Sequence, residues 1–133
     1  MEAIDRPHLL SRARRVVVKV GSNVLTQDRG LNLAVIRAIS HQISRLMEEG
    51  REIILVSSGA MSAGMRKLGL PARPTEVPAR QAVAAVGQAG LIQAYEKAFG
   101  RHGRKVAQIL LTAEDMTHRK RYLNARNTLN TLL

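Results

Sequence analysis

Two stretches of this chain, "VVVKVGSN" from Val16 and "IILVSSGA" from Ile53, share one layout: branched aliphatics that stop at small residues and give way to a helical pattern. A strand apolar on both faces is the pattern of a parallel sheet covered by helices, and two parallel strands need a crossover between them. That crossover is legible. Asn32 caps a helix on which Ile36, Ile39, Ile43, Leu46 and Met47 recur at helical spacing, and Gly50 stops it. Strand, helix, strand, helix in this order predicts an α/β fold, a three-layer α/β/α sandwich with a mainly parallel sheet.

Beyond the second junction, Pro71, Pro74 and Pro78 punctuate a loop and hold off the next helix until about Ala79. The helix that follows, through Phe99, is rich in small residues that let another backbone approach. "KVAQILLT", Lys105 to Thr112, reads as a third strand, "AEDM" as a helical turn, and "RYLNARNTLNTLL" as a final helix. That helix carries no stop signal and ends on two leucines. A three-strand sheet ending so looks unfinished, as in one truncated domain over residues 1–133, with residues 1–13 flexible.

The chemistry open to such a chain is narrowed by what it lacks. It has no cysteine, which excludes disulfides and thiolate metal sites, and His8, His41, His102 and His118 have no ligand spacing, so no protein-held metal is expected. No stretch reaches the ~18 apolar residues of a membrane span, and "MEAIDRPHLL" lacks a signal-peptide core, so a soluble cytoplasmic protein without a membrane partner is expected. The formal charge of +11 fits a nucleic acid, an anionic small substrate or an acidic remainder of the polypeptide. With two tyrosines, one phenylalanine and no tryptophan, a nucleic-acid reader built on base stacking is disfavoured.

In open parallel sheets ligands bind beyond the carboxyl ends of the strands. Here those ends carry Gly21 and Ser22 in one case and Ser58, Gly59 and Ala60 in the other. One such junction is read most simply as glycine in a tight turn. Two in parallel, with Lys19 at the end of the first strand, favour a site for anions held by backbone amides. Neither has the Walker or the dinucleotide-fold glycine spacing. Lys19 lies in a strand that reads as covered on both sides, so its ammonium either snorkels to solvent or meets an anion.

"VVVKVGSNVLT", "ILVSSGAMSAGMRKLGL", "PARQAVAAVGQAGLIQAYEKAF" and "VAQILLTAEDMTHRKRYLNARNTLNTLL" together resemble the N-terminal half of the amino-acid-kinase family's fold, over residues 14 to 133. The first loop, "KVGSN", is similar to the glutamate-phosphorylating branch, and differs from the double glycine of aspartate and acetylglutamate kinases and the Ser-Gly-Glu run of uridylate kinases. The resemblance implies ATP-dependent phosphorylation of the γ-carboxylate of L-glutamate, the first step of proline biosynthesis, with Mg2+ held mainly through the nucleotide. It implies that Lys19 touches the ATP phosphates as the catalytic lysine, that Gly21 and Ser22 form the phosphate loop, and that Ser58, with Gly59 and Ala60, binds glutamate. It also implies L-proline as a candidate feedback inhibitor.

Asp115 has two readings, completion of a helix cap behind Thr112 or a role facing substrate or proline. Asn124, Arg126 and Asn127 match a family signature and fit a polar helix face or a subunit contact equally well. In the family, the nucleotide base and further glutamate contacts come from the second half of the domain, so the 133-residue chain alone is expected to be inactive. The helix from Ala82 to Gly90 and the apolar end at Leu132 and Leu133 suggest exposed surface wanting a partner, which predicts a homo-oligomer or poor solubility. Two other classes stay open: a non-catalytic regulatory or assembly module derived from the kinase, and a basic nucleic-acid-binding module.

Overall fold

The computed structural model describes residues 5–28 and 30–133. In chain order the elements are α1 (Arg6–Arg12), β1 (Arg15–Val20), α2 (Ser22–Leu25), β2 (Thr26–Gln27), β3 (Gly30–Leu31), α3 (Leu33–Glu48), β4 (Glu52–Ser57), α4 (Ala60–Lys67), α5 (Val77–Gly100), α6 (Ala113–Thr117) and α7 (Arg119–Leu132).

β1 and β4 pair in parallel, with Val16 opposite Ile53, Val18 opposite Leu55 and Val20 opposite Ser57. The α/β class therefore stands, and α3 is the crossover that the sequence predicts. Its cap is Asn32, whose Oδ1 accepts from the Val35 N–H at 3.2 Å. Gly50, at φ 83°, turns the chain out of that helix toward β4.

Because side chains alternate along a strand, Val18, Val20, Ile53 and Leu55 face the core while Val17, Lys19, Ile54 and Val56 face the other way. The core side packs on Leu25 of α2, Ile36 and Ile43 of α3, and Leu91, Tyr95, Ala98 and Phe99 of α5. Each such apolar side chain contributes about 1.5–3 kcal/mol by leaving water. The opposite side is bare: Val17 is 61% and Val56 45% exposed, and Lys19 is exposed too. This corrects the reading of β1 as covered on both sides. An apolar run records that both faces call for cover, and among the described residues helices cover one.

The predicted third strand is also corrected. Residues 104–112 carry no strand assignment and join no sheet, although Val106 reaches the core. Strand preference is largely a preference for packing on a pleated surface, and here Leu110, 71% exposed, has no such surface beneath it. α5 starts at Val77, two residues before the predicted Ala79, because Pro78 sits in the first turn, where an amide hydrogen is not needed. The loop predicted after β1 instead forms α2 and a two-rung antiparallel hairpin of β2 and β3.

Part of the segment predicted to be flexible is helical. Asp5 accepts from the His8 N–H at 3.3 Å to start α1, and the Arg51 guanidinium donates to the carbonyls of Leu10 at 2.7 Å and Ala13 at 3.3 Å. Residues 1–4 lie outside the described residues.

α4 and α5 pack closely because two glycines allow it. A methyl group on Gly87 would collide with the Ala60 carbonyl and the Gly64 amide, and one on Gly64 with the Val83 carbonyl. The small residues of α5 thus serve the approach of another backbone, as its composition predicts. Among the described residues no helix is long and apolar enough to cross a membrane.

Candidate functional site

The two strand exits lie side by side. Past the last paired residues, Val20 and Ser57, the ladder runs one rung further: the Ser58 N–H donates to the Val20 carbonyl at 3.1 Å. That bond sets the Gly21–Ser22 turn beside the Ser58–Ala60 turn at the carboxyl ends of a parallel pair, where open α/β folds bind ligands. Lys19, opposite Val56 in the register, stands one residue short of this edge on the bare face of the sheet.

Gly21 caps α2. Its carbonyl accepts from Val24 and Leu25 at 3.2 and 3.3 Å, and its own φ of −79° is open to any residue. A methyl group there would meet nothing within 4 Å. Neither backbone conformation nor packing within this chain therefore requires glycine at 21. Ser22 holds the turn closed from the other side, its carbonyl accepting from the Thr26 hydroxyl at 2.7 Å.

Gly59, which caps α4, differs in conformation and packing. Its φ of 112° is in the left-handed region, and a methyl group there would press on Leu31, 3.2 Å away. It is buried, whereas Ser58 before it is exposed. From Gly59 the chain enters α4, whose first intrahelical bond is donated by Ala63 to the Gly59 carbonyl at 3.0 Å, leaving the amides of the first turn without helical partners.

Lys19, Gly21, Ser22, Ser58, Gly59 and Ala60 are thus gathered at one edge. Asp115 is not among them. Its Oδ2 accepts from both the N–H and the hydroxyl of Thr112 at 2.7 Å, the first two causes that hold its carboxyl below the usual range, with Arg121 at 3.9 Å adding to them. That is the helix-cap reading of Asp115. Asn124, Arg126 and Asn127 lie on α7, where the Asn124 carbonyl accepts from the Thr128 hydroxyl at 2.9 Å and the Asn127 carbonyl from the Thr131 hydroxyl at 2.8 Å. Two clefts are lined by other residues: one of about 80 Å³ lies between α3 and α5 near Arg37, Lys97 and Arg101, and one of about 350 Å³ at Arg14, Arg15 and Glu52, at the amino ends of the strands.

One pair at this edge goes unremarked in the sequence reading. The Ser57 and Tyr95 hydroxyls are 2.7 Å apart, and Tyr95 is buried. Burial pushes the Tyr95 phenol up from its ordinary range, more than the Ser57 contact lowers it. A signal was present: Ser57 alternates with Val56 onto the core face, where a hydroxyl has to find a partner.

Residues 14–133 match the pattern of the Amino acid kinase family, and the chain belongs to that family. Within it, the chain is similar to glutamate 5-kinases: 52% identical over 129 residues to that of Geobacter metallireducens, covering 96% of this chain and 35% of the relative. It is 56% identical over 121 residues to that of Thermus thermophilus, covering 91% and 33%, and 57% identical over 125 residues to that of an Azoarcus species, covering 93% and 34%. The chain spans about a third of the length of the curated relatives it matches.

Proposed function

We propose that this chain supplies the paired strand exits of a glutamate 5-kinase site, one for the phosphates of ATP and one for L-glutamate. The observation that carries the reading is the 3.1 Å bond from Ser58 to the Val20 carbonyl, which puts two glycine- and serine-bearing exits together in a chain similar to kinases of that name. Gly21 adds to it. A glycine that neither the fold nor its packing requires is what a phosphate approaching the backbone would require.

The chemistry asks little of side chains as acids or bases. A glutamate carboxylate, with a reference pKa of about 4.3, is already ionised at neutral pH and needs no general base. The task is to bring two anions together in line and to neutralise charge on the transferring phosphoryl group. In this reading the Lys19 ammonium meets the phosphates, the amides around Gly21 and Ser22 cradle them, and Ser58, Gly59 and Ala60 hold glutamate. With its ammonium exposed, Lys19 needs no anion to offset burial, so its role rests on its place at the strand end. Mg2+ would neutralise phosphate charge. In this reading the ion arrives with the nucleotide; among the described residues no cluster of three His, Cys, Asp or Glu could hold a metal.

The same reading makes the full-length protein a cytoplasmic homo-oligomer of proline biosynthesis, inhibited by L-proline, and the 133 residues alone inactive. A hydroxylamine trap for acyl phosphate tests it, applied to a chimera in which these residues replace the matching segment of the Geobacter metallireducens relative. Hydroxamate that forms only with both ATP and L-glutamate is the expected result. A chimera that folds but makes none, beside an active parent, overturns the reading. Turnover by the isolated chain refutes its inactivity.

A further inference from the structure

Ser57 has one hydroxyl hydrogen and two neighbours. Its Oγ donates to the Ser58 carbonyl at 2.9 Å, and the Tyr95 Oη lies 2.7 Å from the same Oγ. With the serine proton committed to the carbonyl, the tyrosine has to be the donor into Ser57. Burial, which pushes the phenol further up, favours the protonated form that such a donor needs. The outcome is a directed chain, Tyr95 to Ser57 to the Ser58 carbonyl, that starts on the buried side of α5 and ends on the peptide joining Ser58 to Gly59.

That peptide needs holding. Its carbonyl and the Gly59 N–H belong to one planar unit and point in opposite directions, so fixing one aims the other. Glycine on its far side makes rotation of the unit inexpensive, since both signs of φ are open to Gly59. Among the described residues the Gly59 N–H meets no acceptor.

We infer that Tyr95 is a positioning residue: acting through Ser57, it fixes the Ser58–Gly59 peptide and aims the Gly59 N–H at the edge where glutamate is proposed to bind. The inference rests on the proposed function for the identity of the ligand and on the hydrogen-bond chain for everything else.

The test has two arms. In the 15N- and 13C-labelled 133-residue chain, Tyr95→Phe keeps the ring and removes the donor, while Ser57→Ala removes the relay. Both are expected to displace the Ser58 carbonyl and Gly59 amide resonances in the same way, with the double variant no worse than either single one. Ser57→Thr, which keeps the hydroxyl, is expected to leave them in place. Unmoved Ser58 and Gly59 resonances in Tyr95→Phe, or additive effects in the double variant, overturn the relay. In the chimera, Tyr95→Phe is expected to raise KM for glutamate roughly fivefold, the scale of one hydrogen bond, with kcat within about twofold. An unchanged KM overturns the aim at glutamate even where the resonances move. A parental chimera without turnover sinks the proposed function instead, and leaves the relay to be judged by the resonances.

Discussion

The amide of Ser58 donates to the carbonyl of Val20 at 3.1 Å, one rung beyond the strand residues themselves, and so joins the two strand exits that carry Gly21, Ser22, Ser58, Gly59 and Ala60. Lys19 stands beside that rung with its side chain on the open face of the sheet. An electrostatic donor aimed at the charge of a transferring phosphoryl group contributes about 3 kcal/mol to the transition state. Lys19→Ala in the chimera is therefore expected to lower kcat about a hundredfold in the hydroxamate assay. Near-parental turnover would remove Lys19 from the reaction.

α5 carries two glycines three residues apart with opposite demands. Gly87 faces the Ala60 carbonyl and has no room for a methyl group, whereas Gly90 has nothing within 4 Å of the place a methyl would take. Gly87→Ala is expected to cost about 1–3 kcal/mol or more in urea unfolding, because α4 has to back away. Gly90→Ala is expected to stabilise by about 0.5–1 kcal/mol by removing freedom from the unfolded chain. Equal effects at the two sites would contradict the close packing of α4 on α5.

The two faces of the sheet make a similar contrast between apolar residues. Leu25 is 0% exposed within the core, and Leu25→Ala is expected to cost about 2–5 kcal/mol. Val17, on the uncovered side, is expected to accept threonine within about 0.5 kcal/mol in this chain. A large loss of stability in Val17→Thr would mean that something covers that face in solution, and sedimentation of the wild-type chain would show whether a second copy does.

Asp115 gives a pH dependence with a defined sign. Its carboxyl is held low in the folded chain, first by the Thr112 N–H and then by the Thr112 hydroxyl, so the folded state favours the ionised form more than the unfolded state does. The contribution of the cap is complete above the ordinary carboxylate range and is lost as the pH falls through the lower folded value. The protection of the Thr112 amide from exchange, relative to its intrinsic rate at each pH, is expected to be lost only in acid in the wild-type chain, and to be absent already at neutral pH in Asp115→Ala. A Thr112 amide indifferent to both changes would separate the carboxylate from the start of α6.

The local elements were largely legible because their causes are local. The Asn32 cap, the turn at Gly50, the helical spacing of Ile36, Ile39 and Ile43, and the Asp115 cap each depend on residues within a few positions of one another. The two strand exits were recognisable for the same reason, as were the residues in them.

What the amino-acid order determined by itself was therefore the α/β class, the crossover helix and the six candidate residues of one edge. The tertiary structure decided three things that depend on partners distant in the chain. Lys19 lies in the open, because no helix among the described residues covers its side of the sheet. Lys105 to Thr112 joins no ladder, because an apolar run becomes a strand only beside another strand's free amides and carbonyls. Tyr95 reaches Ser57 because α5 crosses the core face of β4, a meeting of residues 38 positions apart that no local periodicity records.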